Sequence, residues 1–156
     1  MDADVQALLD RQEITDWMHA YCRWVDHNRP DEQAKMFTED CRTNFAAGDD
    51  RWIDGRAGFE EMVRTALTRY AATHHQVSNI EIDFDEDRDF ADARSYVYAF
   101  HRHVDDSAPD FHLYAHYVDR WVRTADGWRC ASRRLEVSST AGRRATGLQM
   151  IDRAAR

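Results

Sequence analysis

The spacing of apolar side chains divides the chain into a helical first part and a strand-rich second part. Between residues 3 and 27, apolar residues recur at three- and four-residue steps, the period of one face of an α-helix. Pro30 favours the first turn of a second, short helix over residues 30–37. A third helix is predicted over residues 56–70, with an inward face made of Phe59, Met62, Val63, Ala66 and Leu67.

After residue 72 the pattern changes to the alternation that is typical of strands. Four long strands are predicted, at residues 73–84, 90–104, 111–123 and 128–138, and a short one at residues 42–46. The connections between the long strands are short and polar. Connections of this length are typical of hairpins, so we expect the four strands to be antiparallel neighbours.

Helices followed by a long antiparallel sheet define an α+β fold. A strongly curved sheet with helices against its concave side would leave a pocket between the two layers. The chain has 156 residues, the length of one domain of common size. We expect a single domain over residues 1–140, followed by a tail or short helix over residues 141–156.

Charge and composition exclude several classes of function. The net charge is −8, so a nucleic acid would be repelled on average. The longest apolar run has five residues, far short of the roughly 20 that a membrane-spanning helix needs. The acidic N-terminus lacks a signal-peptide pattern, and the three cysteines include no close pair. We therefore expect a cytoplasmic protein with reduced thiols.

Asp26 is the first candidate for chemistry, because it lies in the last turn of the first predicted helix, beside the apolar face. The negative end of the helix dipole opposes a carboxylate there by about 0.3–1 kcal/mol. If the side chain is buried, its pKa should rise toward that of a useful base. The alternative is an exposed aspartate that begins the following polar loop. Tyr21 could bring a phenol close to Asp26, or it could simply fill the core.

Histidines supply the next candidates. His74 and His75 are adjacent in a strand, so only one of them can face a pocket. His101 lies at the end of a strand face of small residues, which leaves room for a ligand. His101 and His103 have a spacing that invites a metal hypothesis, but no cysteine or carboxylate accompanies them in a recognised ligand spacing. We therefore expect no metal.

The last predicted strand offers two arginines. Arg133 and Arg134 must point in opposite directions, so that one could hold an oxyanion or a hydroxyl while the other is a solvated surface charge. The sequence contains no phosphate-binding glycine loop and no dinucleotide fingerprint. We expect no nucleotide and no other cofactor.

In their order and spacing, the motifs resemble the SnoaL-like branch of the nuclear transport factor 2-like superfamily, whose members include scytalone dehydratase, bile acid 7α-dehydratase and hexachlorocyclohexane dehydrochlorinase. The resemblance spans roughly residues 5 to 138. The matching segments are residues 8–14, Tyr21 and Asp26, residues 36–41, Gly55-Arg56, residues 75–79, residues 117–120, residues 126–129 and Arg133-Arg134.

The resemblance implies a cone-shaped, curved antiparallel sheet wrapped around three N-terminal helices. It also implies an acid–base pair of Asp26, from the end of the first helix, and His75, from the first long strand. Tyr21 matches a tyrosine of the bile acid enzyme. His101 matches a second histidine of scytalone dehydratase, with His103 as the alternative. An arginine on the last strand recurs in some members, and Arg134 is preferred here over Arg133.

These residues favour a cofactor-independent lyase that eliminates water or another leaving group from a hydrophobic small molecule, cyclic substrates included. In this hypothesis His75 is the base, Asp26 orients it, Tyr21 and His101 supply hydrogen bonds or a proton, and Arg134 positions an oxygen. An isomerase or a polyketide-type cyclase could use the same pair, and the fold also serves non-catalytic binding and assembly modules.

The sequence also indicates self-association. Tyr96, Tyr98 and Phe100 lie on one face of the second long strand, which would be the outer face of the sheet. An apolar row of this kind is usually covered, so we expect a homodimer or homotrimer.

Overall fold

Three helices and six strands make up the part of the chain that the computed structural model describes, residues 3–45, 48, 51–142 and 148. The helices are α1 (Ala3–Asp26), α2 (Pro30–Ala34) and α3 (Arg56–Leu67). The strands are β1 (Phe37–Asn44), β2 (Ile53–Asp54), β3 (Tyr70–Phe84), β4 (Phe90–His103), β5 (Phe111–Thr124) and β6 (Gly127–Gly142).

The six strands form one curved, unclosed sheet in the order β2-β1-β6-β5-β4-β3. The four long strands are antiparallel neighbours, as predicted, and the α+β fold is confirmed. The short strand β1 pairs with β6 in parallel, a pairing that the sequence did not predict. β3 lies at the edge of the sheet, so among the described residues one side of its backbone has no strand partner.

The alternation predicted for β4 is present. Ala93, Val97 and Ala99 are buried in the hydrophobic core, whereas Tyr96, on the opposite face, is half exposed. Of the long strands, α1 lies nearest to β3 and also approaches β6. Buried side chains of α1 and of all four long strands belong to one hydrophobic core.

Polar contacts near the N-terminus of α1 fix how the helix lies on the sheet. The carboxylate of Asp10 accepts two hydrogen bonds from Arg123, at 2.6 and 3.1 Å. Glu13 Oε1 accepts the backbone N–H of Trp128 at 2.9 Å. Gly127 has a φ of +96°, which favours glycine, and a Cβ there would also collide with that same Glu13 oxygen. With this end anchored, the last turn of α1 lies against β3.

Several predicted boundaries shift because tertiary pairing overrides local preference. The second helix ends at Ala34 instead of residue 37, since Phe37 already pairs with Cys130 at the start of β1. The third helix ends at Leu67 instead of residue 70, and β3 begins at Tyr70. The two-residue strand β2 was not predicted, and it is too short to show a period of its own.

The predicted C-terminal tail is only partly described. β6 continues to Gly142, which pairs with Phe111, so the first residues of that tail belong to the sheet. Leu148 packs against the hydrophobic core. The remainder of the predicted tail or short helix lies outside the described residues.

The outer face of the sheet carries the aromatic row that the sequence indicates. Tyr96 and Tyr114 are among the most exposed large side chains there, at 50% and 45%. The homo-oligomer stays a prediction.

Cys22, Cys41 and Cys130 are free and buried. Within the described ranges, no helix combines the length and the apolarity that crossing a bilayer would require.

Candidate active site

Asp26 and His75 form a hydrogen-bonded pair where α1 ends against β3. The Nδ1 atom of His75 lies 2.7 Å from Asp26 Oδ1, and the backbone N–H of His75 donates to Asp26 Oδ2 at 2.8 Å. The hydroxyl of Thr73 donates to Asp26 Oδ1 at 2.9 Å. The carboxylate therefore accepts three hydrogen bonds, all from one strand.

The position of β3 at the sheet edge explains this geometry. The backbone N–H of His75 is free to donate to Asp26, because no seventh strand pairs with that side of β3 among the described residues. Thr73 and His75 are two residues apart, so their side chains share the inner face of the strand. Ala99 lies opposite His75 in β4 and leaves space for the imidazole.

The environment of Asp26 keeps its carboxyl group ionised. Burial acts most strongly and raises the pKa, but the hydrogen bonds from the ring and backbone of His75 and from Thr73 together outweigh it, so the pKa of Asp26 is lowered. The expectation of a raised pKa is therefore wrong. An ionised carboxylate only accepts hydrogen bonds, so His75 donates from Nδ1, and in the neutral form of the ring Nε2 carries a free lone pair.

The structure resolves which of the two adjacent histidines faces inward. The side chain of His75 is 9% exposed, while that of His74 is 61% exposed on the outer side. His74 Nδ1 still lies 4.0 Å from Asp26 Oδ2, because the carboxylate is located at the strand edge. The inward place therefore belongs to His75, and His74 lies at the surface.

His101 lies next to His75. The two imidazole rings meet edge to face, with centroids 5.3 Å apart, and Tyr70 packs on the other side of His101 at 4.6 Å. Burial, followed by the proximity of His75, lowers the pKa of His101 to about 4. His101 is therefore neutral near pH 7. Its Nδ1 atom is buried without a hydrogen-bond partner among the described residues.

Tyr21 belongs to a different cluster, deeper in the core. Its ring packs against Tyr117, with centroids 5.7 Å apart, and the guanidinium of Arg133 lies over it at 4.4 Å. Burial raises the pKa of Tyr21 to about 12, although the charge of Arg133 lowers it in part. The sequence suggested that Tyr21 could bring its phenol close to Asp26. In the structure the Tyr21 phenol is neutral and lies beside Arg133 instead.

The choice of Arg134 as the inward arginine is wrong. Arg134 is half exposed and pairs with Glu136 on the outer face. Arg133 is fully buried, and its guanidinium donates two hydrogen bonds to the carboxylate of Asp119, at 2.6 and 2.8 Å. A register shift between β5 and β6 explains the reversal, because the strand alternation changes parity after Cys130.

A groove of about 1000 Å³ has the pair in its lining. Asp26 and His75 line it together with His19 and Cys22 of α1. Its lining also includes Tyr96 and Tyr98 of the outer aromatic row. His101, which contacts His75, is not one of the described residues that line the groove.

Thr73 and Asp119 are the polar residues at these two clusters that sequence reasoning missed. A signal existed for Thr73, because the spacing Thr-x-His on a strand puts both side chains on one face. For Asp119 the signal is absent, since its partner Arg133 was assigned to the outer face. Among the described residues, no group of three or more His, Cys, Asp or Glu side chains is placed to hold a metal ion.

Comparisons with solved structures show close overall similarity. A candidate scytalone dehydratase from Novosphingobium aromaticivorans DSM 12444 is 31% identical, with a TM-score of 0.87 over 96% of this chain and 97% of its own. A hexachlorocyclohexane dehydrochlorinase of type 3 from Novosphingobium barchaimii LL02 is 16% identical, with a TM-score of 0.79 over 97% and 100%. The second likeness concerns the fold alone.

No curated protein has a sequence similar enough to this chain to count as a match. The family model of the SnoaL-like domain, in contrast, matches residues 6–134, a span that includes nearly all of α1, the other two helices and most of the sheet. That match covers the great majority of the chain, and it agrees with the curved sheet described above. The chain belongs to the SnoaL-like domain family.

Proposed function

We propose that this protein is a lyase that eliminates water or another leaving group from a largely apolar small molecule, cyclic substrates included, without a cofactor. The observation that carries the proposal is the hydrogen bond between Asp26 and His75. The similarity to a candidate scytalone dehydratase at 31% identity supports the same class of reaction. In support of the chemistry, an ionised carboxylate orients the imidazole and stabilises its positive charge.

The elimination needs the transfer of one proton from the substrate and the departure of one leaving group. Nε2 of His75 takes a proton from the carbon next to an activating group, and the electrons of that C–H bond form the new double bond. The leaving group departs with its bonding pair; a hydroxide takes up the proton that His75 now holds and leaves as water, which returns His75 to its neutral form. Asp26 stays ionised throughout and stabilises the imidazolium formed at His75.

The other polar groups have narrower roles than the sequence suggested. His101 is neutral near pH 7, so it is a poor source of a proton, and its role in this mechanism is to pack against the ring of His75. Tyr21 is a neutral phenol packed beside Arg133, deeper in the core than Asp26 and His75. Arg134 has no part in this mechanism, because it lies on the outer face.

Two substitutions test the mechanism. We expect His75→Ala and Asp26→Asn each to lower turnover by roughly 100- to 10,000-fold, since each removes the base or its orientation. His74→Ala is the matched control: it removes an imidazole next in sequence from an exposed position, and turnover should stay near the wild-type value. Circular dichroism of each variant verifies that the fold is intact.

The reaction class is measured by mass spectrometry on a panel of hydroxylated ketones and polycyclic alcohols. A product lighter than its substrate by one leaving group supports elimination. A product of unchanged mass identifies isomerisation or cyclisation with the same pair, and elimination is then wrong. Full activity of His75→Ala on the true substrate would remove the pair from the mechanism altogether.

A further inference from the structure

A third donor holds the Asp26 carboxylate beside the two groups of His75. The hydroxyl of Thr73 lies 2.9 Å from Oδ1, the same oxygen that faces His75 Nδ1 at 2.7 Å. The other oxygen accepts the backbone N–H of His75. Thr73 is therefore the only side chain besides His75 that donates a hydrogen bond to Asp26 in the part of the chain that the structure describes.

The Thr73 side chain is well suited to fix an orientation. A β-branched side chain has few allowed χ1 rotamers, so its hydroxyl is held in place by the strand backbone. The terminal torsion of an aspartate is broad, so a carboxylate held by fewer donors rotates more freely. The backbone at Thr73 is itself fixed, because it pairs with His101 in β4. Thr73 thus joins Asp26 of α1 to the paired strands β3 and β4 at the level of His101.

We propose that Thr73 is a positioning residue of the Asp26–His75 pair: its hydroxyl fixes the carboxylate so that the proton of the neutral imidazole stays on Nδ1 and Nε2 stays free. The use of Nε2 as a base rests on the proposed function. The position of the proton on His75 does not, and it can be measured without any substrate.

The experiment compares two substitutions in the full chain labelled with ¹⁵N. Thr73→Val keeps the branched shape and loses the hydroxyl, whereas Thr73→Ser keeps the hydroxyl and loses the methyl group. Long-range ¹H–¹⁵N spectra of the imidazole rings report the tautomer of His75 at neutral pH. We expect the ratio of Nδ1–H to Nε2–H tautomer to fall roughly tenfold in Thr73→Val and to stay near wild type in Thr73→Ser.

A pH titration of the same samples gives a second readout. In Thr73→Val the carboxylate is held by one donor fewer and can rotate away from the ring, so it stabilises the imidazolium less. The pair should therefore release its added proton at lower pH in Thr73→Val than in wild type, while Thr73→Ser follows wild type. A role limited to packing would not move this titration.

The outcomes separate this proposal from the proposed function. A wild-type tautomer ratio and titration in Thr73→Val overturn the role of Thr73, as does an equal change in Thr73→Ser. If Thr73→Val fails to fold, Thr73→Ala supplies the same comparison, because alanine also lacks the hydroxyl. An altered tautomer in a protein that shows no elimination activity would support Thr73 and count against the lyase.

Discussion

Two ion-pairing aspartates in this molecule have the same kind of side chain but partners of opposite character. Asp119 and Arg133 lie in the core with fully buried side chains, joined by two hydrogen bonds. Asp26 and His75 lie at the edge of the sheet, with side chains 17% and 9% exposed. The guanidinium keeps its charge at any pH the folded protein meets, whereas an imidazole gains and loses a proton near neutrality.

The difference explains why only one pair is a candidate for chemistry. The guanidinium of Arg133 lies against the rings of Tyr21 and Tyr117, at 4.4 and 3.9 Å, and its side chain is fully buried. The charge of Asp119, followed by its hydrogen bonds, more than offsets the cost of burial and raises the pKa of Arg133 well above its usual value. The core pair, Asp119 and Arg133, stays charged, whereas the edge pair, Asp26 and His75, can take up and release a proton.

The largest effect on stability should come from breaking the core pair. Asp119→Asn removes the negative charge and leaves Arg133 buried without compensation, so we expect a loss of about 3–5 kcal/mol in the free energy of unfolding. Asp26→Asn should cost distinctly less, because the pair is partly exposed and an imidazole, unlike a guanidinium, is not permanently charged. Urea unfolding of both variants at pH 7.5 measures the two losses.

A double replacement is the control for that measurement. Asp119→Leu together with Arg133→Met removes both charges, and we expect it to cost less than Asp119→Asn alone, since no charge stays buried without a partner. If Asp119→Asn is no more costly than Asp26→Asn, the contrast between a structural pair and a proton-moving pair does not hold.

The next effect concerns pH, and it should come from the edge region. The pKa of His101 is lowered from 6.5 to about 4, mainly by burial, so the unfolded chain takes up a proton between these values and the folded chain does not. The contribution of His101 to the free energy of unfolding is therefore fully present above pH 6.5. It is lost as the pH drops toward 4, which lowers the free energy of unfolding by about 3 kcal/mol for this one group.

His101→Phe removes the titrating group and keeps an aromatic ring next to Tyr70 and Phe111. The loss of unfolding free energy between pH 7 and pH 4.5 should be smaller in this variant than in wild type. Urea unfolding at the two pH values gives the comparison, and carboxyl groups that titrate in both proteins cancel in the difference. An identical pH dependence in both proteins would show that His101 is not buried as a neutral ring.

The same contrast shows how far sequence reasoning reaches. The period of the apolar residues predicts α1 to within one residue at its C-terminus and all four long strands, because burial of one face imposes that period directly. The parallel pairing of Phe37 with Cys130 could not be predicted, since a pairing between distant segments leaves no local pattern.

The candidate active site, like the fold, could be predicted from the sequence in part. Asp26 and His75 were selected from motif order, and the structure places them in hydrogen-bond contact. Thr73 could have been found from its two-residue spacing to His75. The inward arginine could not, because a bulge adds one residue to β6 and reverses the faces beyond it. Counting alternate residues inward from Trp128 gives Arg134, and the real register gives Arg133.

The smallest effect should come from the arginine that such counting selects. Arg134→Ala removes a half-exposed ion pair with Glu136, which also keeps its second partner Arg94. Exposed pairs contribute little, so we expect a change of at most about 0.5 kcal/mol in the free energy of unfolding and no change in turnover. Arg133→Ala, one residue away, leaves Asp119 buried without its partner and should cost several times more. Urea unfolding of the two variants side by side measures the register directly: similar losses for both would mean that the bulge, and with it the assignment of the two faces of β6, is wrong.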